Sequence, residues 1–565
     1  MSRDHVTPGE GSAAVPSSPF PSPTLEQWRA LALKALRGRP LEELALTTLE
    51  GLKLEPLYTE AQDQGIVHLG GLPGQAPFVR GPAAPGRGRR SWLRRTDLAL
   101  PMPEAWGAAA TEELEQGSMA LGMMLDDASR AGLDPDADEV GDLVGQRGLS
   151  LSSLQDLEQA LQGVDLATTA LFVEGGGAGL QLAGMLVALA RRRSIEAAAL
   201  QGSLSCDPLG ELAAGGALPV PLAQAYDEMA TLMTWATEHS PRLRVAMVHL
   251  DPYHDAGASA VHELALSLAT GAEYLGAMTD RGLTPDQAAR RISFSFPMGP
   301  RLLNEMSKLR AARLLWARVC QAFGCDERAS AMRIHARTSS HAMTARDPWT
   351  NILRGTLGAF AGVLASADCI SVAPFDAALA PSDSFSRRLA RNTQLILEHE
   401  VHLAWVSDPA GGSHAVEAMT DGLARQAWDL FQQVEGVGGM AAALEQGMPQ
   451  RLIGQLARDR REAVASADQT VVGVNRFALP GEVLPRQRQG SRAGLRAARR
   501  EAVCELRGAR ADQAAEAALA RLEQLKQRGA TEQVEAAVAA AEAGATLGEM
   551  TAALRHGAGR GPEVE

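Results

Sequence analysis

Leu243-Arg-Val-Ala-Met-Val-His-Leu250 is a short apolar run of strand length, and it follows directly on a stretch with helical spacing. In that stretch Leu222, Tyr226, Met229, Met233 and Ala236 step by four, three, four and three along one face. A helix feeding a buried strand is the repeating unit of an α/β fold. Working outward, runs of strand type recur at 91–100, 118–125, 168–173, 196–201, 291–297, 331–336 and 368–373, each separated by room for a helix. Strand then helix, eight times over, predicts parallel pairing through right-handed crossovers. Spread over roughly 300 residues, it predicts a closed eight-stranded parallel β/α (TIM) barrel, with an open doubly wound sheet as the alternative.

Around this barrel, taken as 87–430, residues 1–23 read as a mobile arm and 24–86 as an N-terminal segment. That segment has a helix starting after Ser22-Pro23-Thr24 and a hairpin around Glu50-Gly51. Residues 431–556 read as a helical C-terminal linker region, and 557–565 as a tail. Within the linker region Val471 to Phe477 is strand-like, and an exposed Pro-, Arg- and Gln-rich stretch follows it. The helices of 490–556 have no barrel partner in sequence and are expected to pack on another surface.

The chain has 565 residues, 45% hydrophobic and 21% charged, the balance of a globular enzyme. A formal charge of −13 excludes wrapping nucleic acid, because phosphate neutralisation needs a basic face. Leu180 to Ala190, the longest apolar stretch, is too short to cross a bilayer, so no membrane role is expected. Cys206, Cys320, Cys325, Cys369 and Cys504 show no metal-ligand spacing and read as buried thiols of a cytoplasmic protein. No metal site is expected.

Barrel chemistry belongs at the carboxyl ends of the strands. Four loops lie there in this reading: Glu174-Gly-Gly-Gly, Gln201-Gly-Ser, Asp251-Pro-Tyr-His and His335-Ala-Arg-Thr-Ser-Ser-His341. The glycines after Glu174 form either an anion nest or a tight turn. Tyr253 and His254 are the candidate catalytic residues, His254 as a general acid or a hydrogen-bond donor to a carbonyl. Ser205, His335, Arg337 and Ser339 are candidate substrate contacts, although His335 and His341 also read as structural histidines.

The stretch Arg388-Leu-Ala-Arg-Asn-Thr-Gln-Leu-Ile-Leu-Glu-His-Glu400, continuing to Asp408-Pro-Ala-Gly-Gly-Ser413, resembles the signature of the methylmalonyl-CoA mutase family. Its marks are Arg388, Arg391, Asn392, Thr393, Gln394, Asp408, Pro409, Gly412 and Ser413, with departures at Leu389 and Trp405. Further segments agree in order: Glu55-Pro-Leu-Tyr-Thr59, Leu72-Pro-Gly74 with Phe78-Val-Arg-Gly81, and Lys308-Leu-Arg-Ala-Ala-Arg-Leu-Leu-Trp-Ala317. Thr344-Ala-Arg-Asp-Pro-Trp349 and Glu435-Gly-Val-Gly-Gly-Met440 complete a likeness that covers about residues 40–555. The resemblance implies a barrel whose bore admits a CoA thioester, an N-terminal segment embracing a partner subunit, and a linker leading to a separate cobalamin domain.

Departures from the family pattern bear on the role. Catalytic members carry roughly Arg-Pro-Trp-Thr-Ile-Arg-Gln-Tyr-Ala-Gly near the first strand, where this chain has Ser91-Trp-Leu-Arg-Arg-Thr-Asp-Leu98 and lacks the radical-shielding tyrosine. Ser205 of Gly202-Ser-Leu-Ser-Cys-Asp207 replaces a substrate-contacting glutamine, and Leu212-Ala-Ala-Gly-Gly-Ala-Leu218 offers no arginine for a substrate carboxylate. After strand five, Gly-Tyr-His-Met-Gln-Glu-Ala-Gly is shortened to Pro252-Tyr-His-Asp-Ala-Gly257. The chain has no Asp-x-His-x-x-Gly to ligate cobalt.

The resemblance therefore implies a small, non-catalytic subunit of a heterodimeric mutase, with adenosylcobalamin carried by a catalytic partner subunit, acyl-CoA bound in the complex and no cofactor held by this chain alone. Pairing would cover the arm, the hairpin and the C-terminal helices. Two alternatives stand beside it: a catalytic barrel chain for another acyl-CoA mutase with a separate cobalamin-binding subunit, and a CoA-ester-binding scaffold without catalysis.

Overall fold

A computed structural model describes residues 23–48, 50–83, 92–379, 381–482, 492–525, 528–557, 559 and 561–564. The expected arm, apart from residue 23, and the exposed stretch after residue 482 lie outside these described residues. The chain divides into two compact units, Met1–Tyr58 and Thr59–Glu565.

In the first unit the helix Leu25–Ala35 starts where expected, because Thr24 and Gln27 form a reciprocal capping box. Leu46–Thr47 pairs antiparallel with Lys53–Leu54 across the turn containing Gly51.

The second unit is built on a closed parallel barrel. Its strands are β1 (Leu93–Leu98), β2 (Ala120–Met124), β3 (Ala170–Glu174), β4 (Gly202–Cys206), β5 (Leu243–His249), β6 (Ile292–Met298), β7 (Ile334–Thr338) and β8 (Cys369–Ser371). β8 closes on β1 through Cys369 opposite Leu93. The helix Leu222–His239 buries Tyr226, Met229, Met233 and Ala236, the stripe read from the sequence.

The structure corrects the fourth strand. The run at 196–201 is a short 3-10 turn, Ala197–Ala199, and β4 begins at Gly202. The expectation followed apolar content, whereas β4 is a serine-rich strand buried along its whole length. Gly202 sits at φ +121, and a Cβ there would run into the Leu171 carbonyl of β3, so glycine is required where the strand starts. Gln201-Gly-Ser is consequently the entry to a strand and not a loop at its carboxyl end.

Three further expectations change. Val471 to Phe477 forms a turn, closed by the Val471 amide donating to the Asn475 side chain at 2.7 Å, with one bridge between Val472 and Arg476. The C-terminal helices pack on this chain's own barrel. Ala530–Glu542 lies against Gly179–Arg192, so closely that a Cβ on Gly184 would stand 2.7 Å from Ala537. Its alanine-rich face, Ala536, Ala537, Ala540 and Ala541, is thereby buried. Of the cysteines, Cys206, Cys320 and Cys369 are buried, but Cys325 is half-buried and Cys504 exposed. No described helix is long and apolar enough to cross a membrane.

Candidate functional site

Side chains alternate along a strand, so Leu93, Arg95 and Asp97 share one face of β1. At the amino ends of the strands an apolar layer forms from Ala120, Ala170, Phe172, Met247 and Cys369, with Leu93 against it. A cavity of about 310 Å³ lies at this level, lined by Phe172, Met247, Ser293 and His335, with Arg244, Arg333 and Asp368 also at its wall. Ordinary barrels continue upward in branched aliphatic layers. This one turns polar.

His335 stands between two hydroxyls, Nδ1 3.1 Å from Ser295 and Nε2 2.9 Å from Ser371. Burial, reinforced by the Arg95 charge, holds its pKa well below the ordinary histidine value, so the ring is neutral at physiological pH. Arg95 is buried, with its guanidinium 4.9 Å from the centre of the Phe172 ring. Its Nη2 donates to Glu174 at 2.8 Å and its Nε to Asp97. Nη1 is buried with no hydrogen-bond partner among the described residues. A Cβ on Gly122 of β2 would overlap the Asp97 carboxylate and crowd the Arg95 guanidinium, so the cluster fills the space the neighbouring strand leaves it.

Toward the rim, Arg337 pairs with Asp251 at 3.3 Å, and His249 lies 3.7 Å from the same carboxylate. Burial alone would raise Asp97 and Asp251, but Arg95 and Arg337 on the first, and Arg337 and His249 on the second, hold both below the usual carboxylate range.

The candidate catalytic pair is placed differently. Tyr253 is buried, and burial with the Asp207 charge raises its pKa, against a smaller lowering by Thr270. His254 is buried too, with Nε2 2.6 Å from the Ser339 hydroxyl and Nδ1 2.7 Å from Glu263. The other oxygen of Glu263 accepts from Lys308 at 2.7 Å, and Lys308 also reaches the Pro297 carbonyl at 2.7 Å and Glu305 at 2.6 Å. Burial lowers the His254 pKa, but the Glu263 charge and hydrogen bond outweigh it and raise the net value. The structure thus brings Ser339 to His254, and His335 close to Arg95; it leaves Ser205 apart from these groups. Ser205 sits within β4 at φ +46, beside a register shift against β5, with its amide donating to Ser203 at 3.0 Å.

The glycines after Glu174 make a tight 3-10 turn, Gly176–Ala178. A Cβ on Gly175 would overlap Leu182, and one on Gly176 would come 2.9 Å from Arg130, so close packing explains these residues without an anion.

The signature residues are architectural. Arg391 pairs with buried Glu113 at 2.6 Å, Gln394 accepts from Trp92 at 3.0 Å, and the Thr393 hydroxyl donates to the Leu389 carbonyl at 3.0 Å. Arg388 is exposed over Phe385, and Asn392 is half-buried. Asp408 accepts from Arg80 at 2.9 Å and from Arg310, and Arg310 also reaches Glu417 at 2.6 Å. Pro409 is exposed, Gly412 at φ +84 donates its amide to Glu417 at 2.9 Å, and Ser413 precedes the helix His414–Gly436. Asp408 with Arg80, and Glu417 with His68 at 3.0 Å, both gripped by Arg310, latch the segment of His68 and Arg80 onto the barrel's helical ring.

This latch predicts an acid response. Burial pushes Glu417 up, but the His68 hydrogen bond and the Arg310 charge hold it at about 2. A folded pKa below the unfolded value, about 4.3, adds stability above that value and loses it as pH falls through the folded one. Unfolding curves of wild type and Glu417→Gln should differ by up to about 3 kcal/mol at neutral pH, with the gap closing as pH drops from about 4 toward 2.

Residues that were not named as site candidates do most here: Arg95, Asp97, Glu263, Lys308, Ser295 and Ser371. Ionisable residues at alternate positions of a strand buried in a barrel must find partners inside it, and Arg95 with Asp97 carried that signal in the sequence. Among the described residues no three His, Cys, Asp or Glu side chains gather as metal ligands. His254 and His335 have both ring nitrogens engaged within the chain, so neither presents a free nitrogen to a metal.

Fold and site together define a closed β/α-barrel protein of the kind with a polar bore, here cross-linked by buried ion pairs. A family model described as methylmalonyl-CoA mutase matches residues 47–560. The chain is 36% identical over 539 residues to a methylmalonyl-CoA mutase of Rhizobium meliloti, covering 95% of this chain and 75% of that protein. It is 39% identical over 516 residues to the methylmalonyl-CoA mutase small subunit of Streptomyces virginiae, covering 89% and 78%. The large subunit from the same organism is 32% identical over 548 residues, covering 96% and 74%. This chain belongs to the methylmalonyl-CoA mutase family.

Proposed function

We propose that this chain is a small, non-catalytic subunit of an adenosylcobalamin-dependent methylmalonyl-CoA mutase, and that the complex interconverts methylmalonyl-CoA and succinyl-CoA in the cytoplasm. The observation that carries this reading is the Arg95–Asp97–Glu174 cluster in the bore. A thioester threaded along the axis would meet charges already paired with one another, and displacing them would leave buried charge uncompensated, a costly state. The engagement of both ring nitrogens of His254, by Glu263 and by Ser339, supports the same reading, because the ring is tied into the chain's own hydrogen bonds. The cofactor supplies a homolytically cleaved cobalt–carbon bond, and in this reading a catalytic partner subunit carries it together with the acyl-CoA.

The test is an isomerisation assay with adenosylcobalamin on the chain alone, with the long mutase chain of its source organism, and with a small cobalamin-binding protein. Turnover is expected only with the long chain. Turnover by this chain alone, or with the small protein, would overturn the reading and make this a catalytic barrel chain.

A further inference from the structure

The helices that follow β7 and β8 carry an apolar face that the barrel does not use. Asn351–Leu364 faces inward through its glycines: a Cβ on Gly358 would stand 2.7 Å from the Met298 carbonyl, and one on Gly362 would stand 3.1 Å from Ala336. Its opposite side presents Leu353 and Leu357, one turn apart and 67% and 39% exposed. Ser384–His399 buries Ala390, Arg391, Gln394 and Leu397, and turns Phe385 and Ile396 outward.

The strip continues past both helix ends. Trp349 is 56% exposed, stacks on Phe375 at 4.5 Å and meets Phe385 edge-on at 6.4 Å. Trp405 is 77% exposed and stacks on His402 at 4.2 Å. The two helices pack side by side, and both touch the turn Leu403–Trp405, so Trp349 and Trp405 stand at either end of one stretch of the barrel's surface.

Its size is informative. At about 150–250 Å² for a full aromatic side chain, Trp349, Leu353, Leu357, Phe385, Ile396 and Trp405 leave roughly 700 Å² of apolar surface open. That exceeds the largest patch of a typical monomer, about 300–600 Å², and approaches the roughly 800 Å² each partner brings to a standard stable interface. The composition also fits an interface, with two tryptophans, a phenylalanine and Arg388 beside Phe385.

We propose that this strip is the subunit interface and that its occupant is the equivalent strip of the long mutase chain. The inference rests on the subunit reading above, in which the partner is another barrel of this family. Two homologous barrels pair most simply about a pseudo-two-fold axis, which sets the same face of each against the other. Apolar area of this extent is then covered without any new element.

The test compares the full-length chain with Leu353→Glu/Leu357→Glu and with the control Leu303→Glu, whose site is 48% exposed on the helix Leu302–Ala322. Circular dichroism and melting should match wild type in both, since all three positions are exposed. Affinity for the purified long chain, measured by sedimentation or calorimetry, should fall roughly a hundredfold in the double variant and stay within about threefold in the control. If wild type pairs and the double variant pairs equally well, the strip is wrong while the subunit reading survives. If wild type does not pair at all, both fall. If the chain alone is a dimer that the double variant disperses, the occupant is a second copy and this proposal is overturned.

Discussion

Arg95→Met is expected to lower the unfolding free energy by about 3–5 kcal/mol, read as a drop in the urea midpoint with the slope unchanged. The methionine fills much of the same space, so the loss measures charge and not volume. Asp97 and Glu174 would remain in the bore, the first with Arg337 as its main opposing charge and the second without its 2.8 Å bond. The triple variant Arg95→Met/Asp97→Asn/Glu174→Gln removes all three charges together and should recover to within about 1–2 kcal/mol of wild type. Recovery would show that the cluster is a closed unit whose members are needed mainly because the others are there. A triple variant no better than Arg95→Met would mean that the guanidinium holds the barrel by packing on Phe172. The outcome bears on function, because a bore that tolerates neutral residues has kept its charges for some reason other than stability.

The barrel was legible because its strands and helices announce themselves through two different periods. The stripe from Leu222 to Ala236 and the run from Leu243 to Leu250 became a helix and a strand as read. β4 was displaced by several residues because it holds two serines and a glycine where an apolar run was sought. The polar bore that hid the strand is the same feature that distinguishes this barrel from an aliphatic one.

The site was only partly legible. His254 and Ser339 were named as residues following β5 and β7, and they lie there; His335 and Arg337, named as residues of the same loop, lie inside β7, with His335 near its amino end. Their partners come from distant positions: Ser371 from β8, Glu263 from the helix Ala260–Asp280 and Lys308 from the helix Leu302–Ala322. No local pattern joins residues 254, 263, 308 and 339, since only closure of the barrel brings them together. The signature around Arg391 and Asp408 identified the family and yet lies in a structural latch, because side chains that hold a helical ring in register tolerate little change.

Lys308→Met should be at least as damaging as the loss of Arg95, and its pH dependence has a sign that identifies the cause. Lys308 is buried among Glu263, Glu305 and the Pro297 carbonyl. In wild type, burial raises the Glu263 carboxyl, but Lys308 and His254 bring it below its ordinary value. Its contribution is therefore present above the unfolded value, about 4.3, and is lost as pH falls. Without Lys308, burial prevails and the folded pKa of Glu263 moves above the unfolded one. A raised carboxyl contributes stability below the unfolded value and loses it as pH rises through the folded one. The penalty of Lys308→Met should thus be smallest near pH 5 and grow to about 3–5 kcal/mol near pH 8. Adding Glu263→Gln should flatten that slope. A penalty independent of pH would mean that the ammonium acts through its packed methylenes, and the His254–Glu263–Lys308 relay would lose its electrostatic basis.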